Sequence, residues 1–166
     1  MRSIIAVAAS PFVLAALLLA GNAECNAQER ILGGVPLVLP TKSVVIGETD
    51  TELQRLLKER YNAVAAEMRD LYALYLGGRA PVEDICQAIE KFAHAGGELA
   101  ETPVARVSEL ELARDASRAV ESIATSKHEQ GQEPRHAVEH SRACRLGIEI
   151  DLVRAREAAK AAREAK

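Results

Sequence analysis

Residues 74–88, LYLGGRAPVEDICQA, and residues 128–143, HEQGQEPRHAVEHSRA, carry the same punctuation. In each, a glycine precedes a proline by three residues, Gly78 with Pro81 and Gly131 with Pro134, and an apolar residue stands four positions after the proline, Ile85 and Val138. Glycine lets a chain leave a helix through positive φ, and proline, with fixed φ and no N–H, suits a first helical position. Each stretch therefore predicts a helix, a tight turn and a second helix. The two stretches lie 53 residues apart, and Leu99 matches Leu152 at the same offset. The chain is read as a duplicated helix-turn-helix unit.

Apolar spacing extends the reading in both directions. Leu57, Tyr61, Val64, Met68, Leu71 and Tyr75 recur at alternating intervals of four and three, with Asp50 or Thr51 available as the cap. A second stripe is Val82, Ile85, Ile89, Phe92, Gly96 and Leu99. Thr102-Pro103 is a cap followed by a first-turn proline. It opens a third helix, to about Gln130, through Val107, Leu110, Ala113, Val120 and Ile123. The fourth carries Val138, Ser141, Ile148, Leu152, Ala155, Ala159 and Ala162. The fold class expected is all-α, an up-down antiparallel bundle of four helices over 50–166. Its repeats cover about 51–101 and 103–157, and a charged Ala-rich tail prone to fraying comes after 157.

Short connections place both glycine turns at one end of such a bundle and the Thr102-Pro103 turn at the other. That geometry bears on Cys86 and Cys144. They lie on the second and fourth helices, diagonal in a simple up-down bundle, eight and thirteen residues past their turn glycines. At about 1.5 Å per residue they differ in height by roughly 7 Å. A disulfide between them is left open, with free or intermolecular thiols as the alternative.

Ahead of the helices, residues 28–49 (QERILGGVPLVLPTKSVVIGET) mix glycine and proline with β-branched runs, an extended arm or linker with room for a short strand. Residues 1–27 have the zones of a cleavable export signal: a basic start, an apolar core from Phe12 to Ala20 and a small polar exit, with cleavage after Ala23 or Ala27. Even counted from Ile4 to Ala20, the apolar run falls just short of the roughly 18 residues of a spanning helix, so the mature chain is expected to have no membrane span. These zones imply a periplasmic or secreted location, with a retained anchor as the alternative.

The chain has 21 basic and 24 acidic side chains, a net charge of −3, and both signs are interspersed. That surface does not attract phosphate backbones, so nucleic acid is not an expected partner. With no Trp, two Phe and three Tyr, there are few rings on which bases or sugars could stack.

One motif points toward an enzyme. His136-Ala137-Val138-Glu139-His140 matches H-x-x-E-H, which sets two histidines one turn apart on a helix face and can hold zinc. A catalytic site also needs a third ligand from a separate element. The carboxylates after His140, at Glu149, Asp151, Glu157 and Glu164, share its helix. His136 and His140 are therefore read as solvated residues near the bundle tip, with a zinc hydrolase as the lesser alternative. No cofactor and no catalytic residue are expected.

The segment 74–88 resembles the repeated helix-turn-helix signature of TolC-like outer-membrane efflux proteins. Tyr75, Gly78, Asp84, Ile85, Cys86 and Ala88 stand at the positions of an aromatic helix end, a turn glycine, an acidic residue, two apolar residues and an alanine. The second copy keeps Gly131 and Val138 and has Ala137 in the acidic position. The resemblance covers about 51–157. It implies coiled-coil hairpins whose glycine turns form a tip that meets an adaptor protein of an efflux pump. The family's barrel strands have no counterpart between these repeats, so a channel is not expected. The resemblance thus implies a non-enzymatic helical module binding protein partners through its seams or its tip, with Gly78, Arg79, Asp84, Gly131 and Gln132 as contact residues. The partner expected is an efflux adaptor or a second copy, the latter describing a self-associating structural protein of the envelope.

Overall fold

The computed structural model describes residues 43–165. The expected signal at 1–27 and the arm through residue 42 lie outside the described residues. Four helices succeed one another: α1 Glu52–Leu76, α2 Val82–Leu99, α3 Pro103–Glu129 and α4 Arg135–Glu164. The all-α bundle is therefore present, and among the described residues there is no strand. None of these helices is long and apolar enough to cross a membrane.

Local chemistry sets the ends. Thr51 caps α1 through a full capping box, its hydroxyl accepting from the Gln54 N–H while the Gln54 side chain accepts from the Thr51 N–H. Thr102 caps α3 by accepting from the Ala105 N–H, with Pro103 in the first helical position. Pro81 and Pro134 differ from expectation by one residue. Each is the N-cap, in extended backbone, and the helix begins after it. A cap with β-region φ and ψ accommodates proline as readily as a first turn does, since neither position needs its N–H.

The predicted stripes form the core. Met68, Tyr75, Ile85, Ile89, Phe92 and Val120 are fully enclosed, and the Tyr61 and Phe92 rings meet at 5.2 Å. Ala162 departs from its stripe. It is exposed, because α4 runs on past its last buried residue, Ala159, with no other described helix opposite. Bulk is unevenly shared. The large side chains sit mainly on α1 and α2, whereas the buried residues of α3 and α4 are mostly small, among them Ala113, Ala116, Ser117, Ala124, Ala137, Ser141 and Cys144. The buried hydroxyls of Ser117 and Ser141 donate to the carbonyls of Arg114 and Val138 on their own helices, so neither is orphaned. Charged pairs line the contact between α3 and α4: Arg118 with Glu149, Arg145 with Glu121 and Glu149, and Arg156 with Glu111.

The simple square arrangement is corrected. α2 packs on α1, α3 and α4, and α3 packs on α4, whereas α1 packs on α2 alone. Thus α2, α3 and α4 form a triangular core with α1 laid against its α2 edge. α1 reaches α3 through long side chains, as where the Tyr61 hydroxyl donates to Glu109 at 2.9 Å. Small residues, Ala93 and Gly97 of α2 and Gly147 of α4, line one cleft where α2 and α4 approach.

The two hairpins are also out of step. Tyr61 and Glu109 are 48 residues apart and Cys86 and Cys144 are 58 apart, on either side of the 53-residue repeat spacing. A slide of the second hairpin toward the glycine-turn end by about five residues, roughly 7 Å, accounts for both offsets. It cancels the height difference expected between the cysteines.

Candidate functional site at the paired turns

Both glycine turns have one geometry. The N–H of Arg79 reaches back to the Leu74 carbonyl at 2.9 Å, and that of Gln132 to the Lys127 carbonyl at 2.8 Å, each across five residues. Gly78 and Gly131 sit at φ +65° and +71°, the left-handed backbone this closure needs. Nothing lies within 4 Å of where their Cβ atoms would be, so backbone conformation rather than space makes glycine fit there.

Three side chains tie the turns together. The Lys127 ammonium donates to the Tyr75 carbonyl at 2.7 Å, pairs with Glu133 at 3.3 Å and stands 3.8 Å over the Tyr75 ring. The Tyr75 hydroxyl donates to the other Glu133 oxygen at 3.2 Å. Burial, then the Glu133 charge and hydrogen bond, push the Tyr75 phenol well above its ordinary range. A cation held by a carbonyl, a carboxylate and a ring face in a half-buried site is a rigid clasp.

Beside the clasp lies a groove of about 570 Å³, lined by Gly78, Arg79, Pro81, Lys127, Gln132 and Glu133 among others. It brings together three of the expected contact residues, Gly78, Arg79 and Gln132. Gly131 is exposed on the adjoining turn and Asp84 lies in the first turn of α2, and neither lines the groove. The groove offers an exposed guanidinium, main-chain groups and an amide, the equipment of a contact surface.

His136 and His140 are exposed. His136 Nε2 stands 3.9 Å from Glu83 Oε1 on α2, and Glu139 faces Arg135 at 3.7 Å. Among the described residues, no three His, Cys, Asp or Glu side chains converge as a metal site would require.

Cys86 and Cys144 are corrected from diagonal to adjacent. Both are buried, and Cys144 Sγ lies 3.8 Å from the Cys86 carbonyl oxygen. The neighbouring Cys144 thiol and burial drive the Cys86 thiol far above its ordinary range, so it stays protonated.

Two features went unread in the sequence. The Tyr75–Lys127–Glu133 clasp was masked because Tyr75 reads as one more stripe residue and the two charges as solvated. The other is the outward face of α4, where Leu146, Ile150 and Val153 are 42%, 52% and 53% exposed. They lie opposite the buried line of Cys144, Ile148 and Leu152. Their 4-3 spacing is a visible signal, hidden because the inner stripe already satisfies the helix. No protein family model, characterised protein or solved structure matches the chain.

Proposed function

We propose that this chain is an exported, non-enzymatic helical module that binds a partner helix, as the resemblance to the helical hairpins of TolC-like efflux proteins suggests. The observation that carries the reading is the outward seam of α4. A helix already packed on its inner face seldom also exposes three large apolar residues at coiled-coil spacing. Arg142 and Glu157 continue that stripe at its two ends and Arg154 stands beside it, and these charges would set the register of an approaching helix. The paired turns, held rigid by the clasp, form a second contact surface at one end, with Arg79, Asp84 and Gln132 as its polar residues.

Envelope extracts passed over immobilised wild type, Ile150→Lys and Asp84→Arg chains test this. The expected outcome is a specific partner lost with Ile150→Lys; a partner lost with Asp84→Arg would assign the tip. Identical captures on all three would sink the proposal. The same seam could pair two copies of the chain, which describes a self-associating envelope protein. Light scattering on a sizing column separates the readings, because a dimer dissolved by Ile150→Lys belongs to self-association and a monomer to a distinct partner.

A further inference from the structure

We infer that Cys86 and Cys144 are a disulfide-forming pair that staples the first helical hairpin to the second. The slide of the hairpins brings the two residues level, and the Cys144 sulfur rests 3.8 Å from the Cys86 carbonyl oxygen. Their relative exposures are 1% and 5%, so each sulfur is closed off from solvent and from other chains, which disfavours intermolecular bonds. α2 and α4 pack directly on each other, with Ala93, two turns along the same face of α2 as Cys86, and Ser141 among the small buried residues they contribute. A disulfide requires Cα atoms no more than about 7 Å apart, and small residues permit that approach. The elevated affinity of Cys86 for its proton means that the attacking thiolate forms while the core is open, so the bond is set during folding.

The chemistry needs an external disulfide, such as glutathione disulfide. The thiolate of one cysteine attacks it, forming a mixed disulfide and releasing one glutathione thiolate. The second cysteine, deprotonated, attacks the protein-bound sulfur of the mixed disulfide and releases the second. Two protein thiols are oxidised to one disulfide, one glutathione disulfide is reduced to two glutathiones, and the two protons pass to the released thiolates. The staple stands independently of the proposed helix partner.

The test refolds the full chain from denaturant in a buffer of reduced and oxidised glutathione. The mixture is then acid-quenched, free thiols are alkylated in denaturant, and peptides are mapped without reduction. The expected product is a monomer in which the Cys86 and Cys144 peptides are linked and Cys25 carries the alkyl group. Alkylation or glutathione adducts at Cys86 and Cys144, or dimers linked through either, would overturn the inference. So would a denaturant midpoint no higher in the oxidised chain than in the reduced one. In the Cys86→Ala/Cys144→Ala double variant the midpoint should no longer respond to the redox buffer; a response that persists would assign the effect to another group and count against the staple.

Discussion

Gly96 of α2 lies so close to Glu109 of α3 that a Cβ on Gly96 would stand 2.9 Å from the Cβ of Glu109. This is the tightest approach at any described glycine, and it fixes the depth at which α3 sits on α2. It also aims the Glu109 carboxylate at the Tyr61 hydroxyl of α1. Gly96→Ala gains about 1 kcal/mol of helix propensity but forces the two backbones apart, an overpacking cost of about 1–3 kcal/mol. We expect a net loss of about 1 kcal/mol, read as a lower urea midpoint. Gly147→Ala, with nothing within 4 Å of the added carbon, should instead gain up to about 1 kcal/mol. A stabilised Gly96→Ala chain would show that Gly96 does not set the spacing of α2 and α3.

That contact marks the boundary of what the sequence discloses. Helix existence was legible because caps and turns are local: Thr51, Thr102, Gly78 and Gly131 each act through hydrogen bonds between near neighbours in the chain. The inward stripes were legible because burial tracks helical periodicity. The layout was not. Whether α2 touches α4 depends on the summed size of facing residues along several helices, and the slide between the hairpins depends on which layers interlock. No periodicity within one helix encodes either. The groove was half legible: the turns pointed to Gly78, Arg79 and Gln132 in its lining, while the clasp beneath them joins Tyr75 to charges far along the chain, at Lys127 and Glu133.

The clasp can be tested by a double-mutant cycle. Lys127→Met keeps the apolar stem but leaves Glu133 without its cation, and a lost hydrogen bond to a charged group costs about 1.5–3 kcal/mol. Tyr75→Phe removes only the hydroxyl and should cost about 1 kcal/mol. Because both side chains converge on Glu133, the double variant should deviate from additivity by about 0.5 kcal/mol or more. Simple addition would mean that Lys127 and Tyr75 hold Glu133 independently.

Alkaline unfolding should be governed in part by the tyrosines. Burial pushes Tyr72 up to about 12. Tyr61 rises further by burial and by its hydrogen bond to Glu109, and Tyr75 rises through burial and the Glu133 charge. The folded chain thus holds these protons more tightly than the unfolded chain, whose phenols titrate near 10. Their contribution is complete below about pH 10 and is lost as pH rises through 12. Phenolate absorbance should therefore rise together with the loss of helical circular dichroism, and Tyr72→Phe should shift unfolding to higher pH. Phenolate appearing near pH 10 with helicity intact would mean that the rings are solvated in the folded chain.

Asn62 holds the end of the arm by reading its backbone. Its side-chain oxygen accepts from the Val44 N–H at 2.8 Å and its amide donates to the Val44 carbonyl at 2.9 Å, so one side chain imitates the edge of a strand. This explains why residues 43–47 run beside α1 without any sheet to pair with. Downstream, Asp50 accepts from the Gly47 N–H and pairs with Lys58, which fixes the turn into the helix. The Lys58 and Gly47 hydrogen bonds hold the Asp50 carboxyl below its ordinary range, so that turn persists into mild acid. Asn62→Asp keeps the acceptor but sets a carboxylate oxygen against the Val44 carbonyl, whereas Asn62→Leu removes both bonds. Both variants should release the arm as far as Gly47 while leaving α1 folded, because the Thr51 capping box and the Asp50–Lys58 pair lie beyond the clamp. Hydrogen exchange at the Val44 amide should accelerate by about tenfold or more, which corresponds to about 1.4 kcal/mol for the clamp. Amides from Val64 onward should be unchanged. Exchange that accelerates equally along all of α1 would make Asn62 part of the helix core instead of the hook on which the arm hangs.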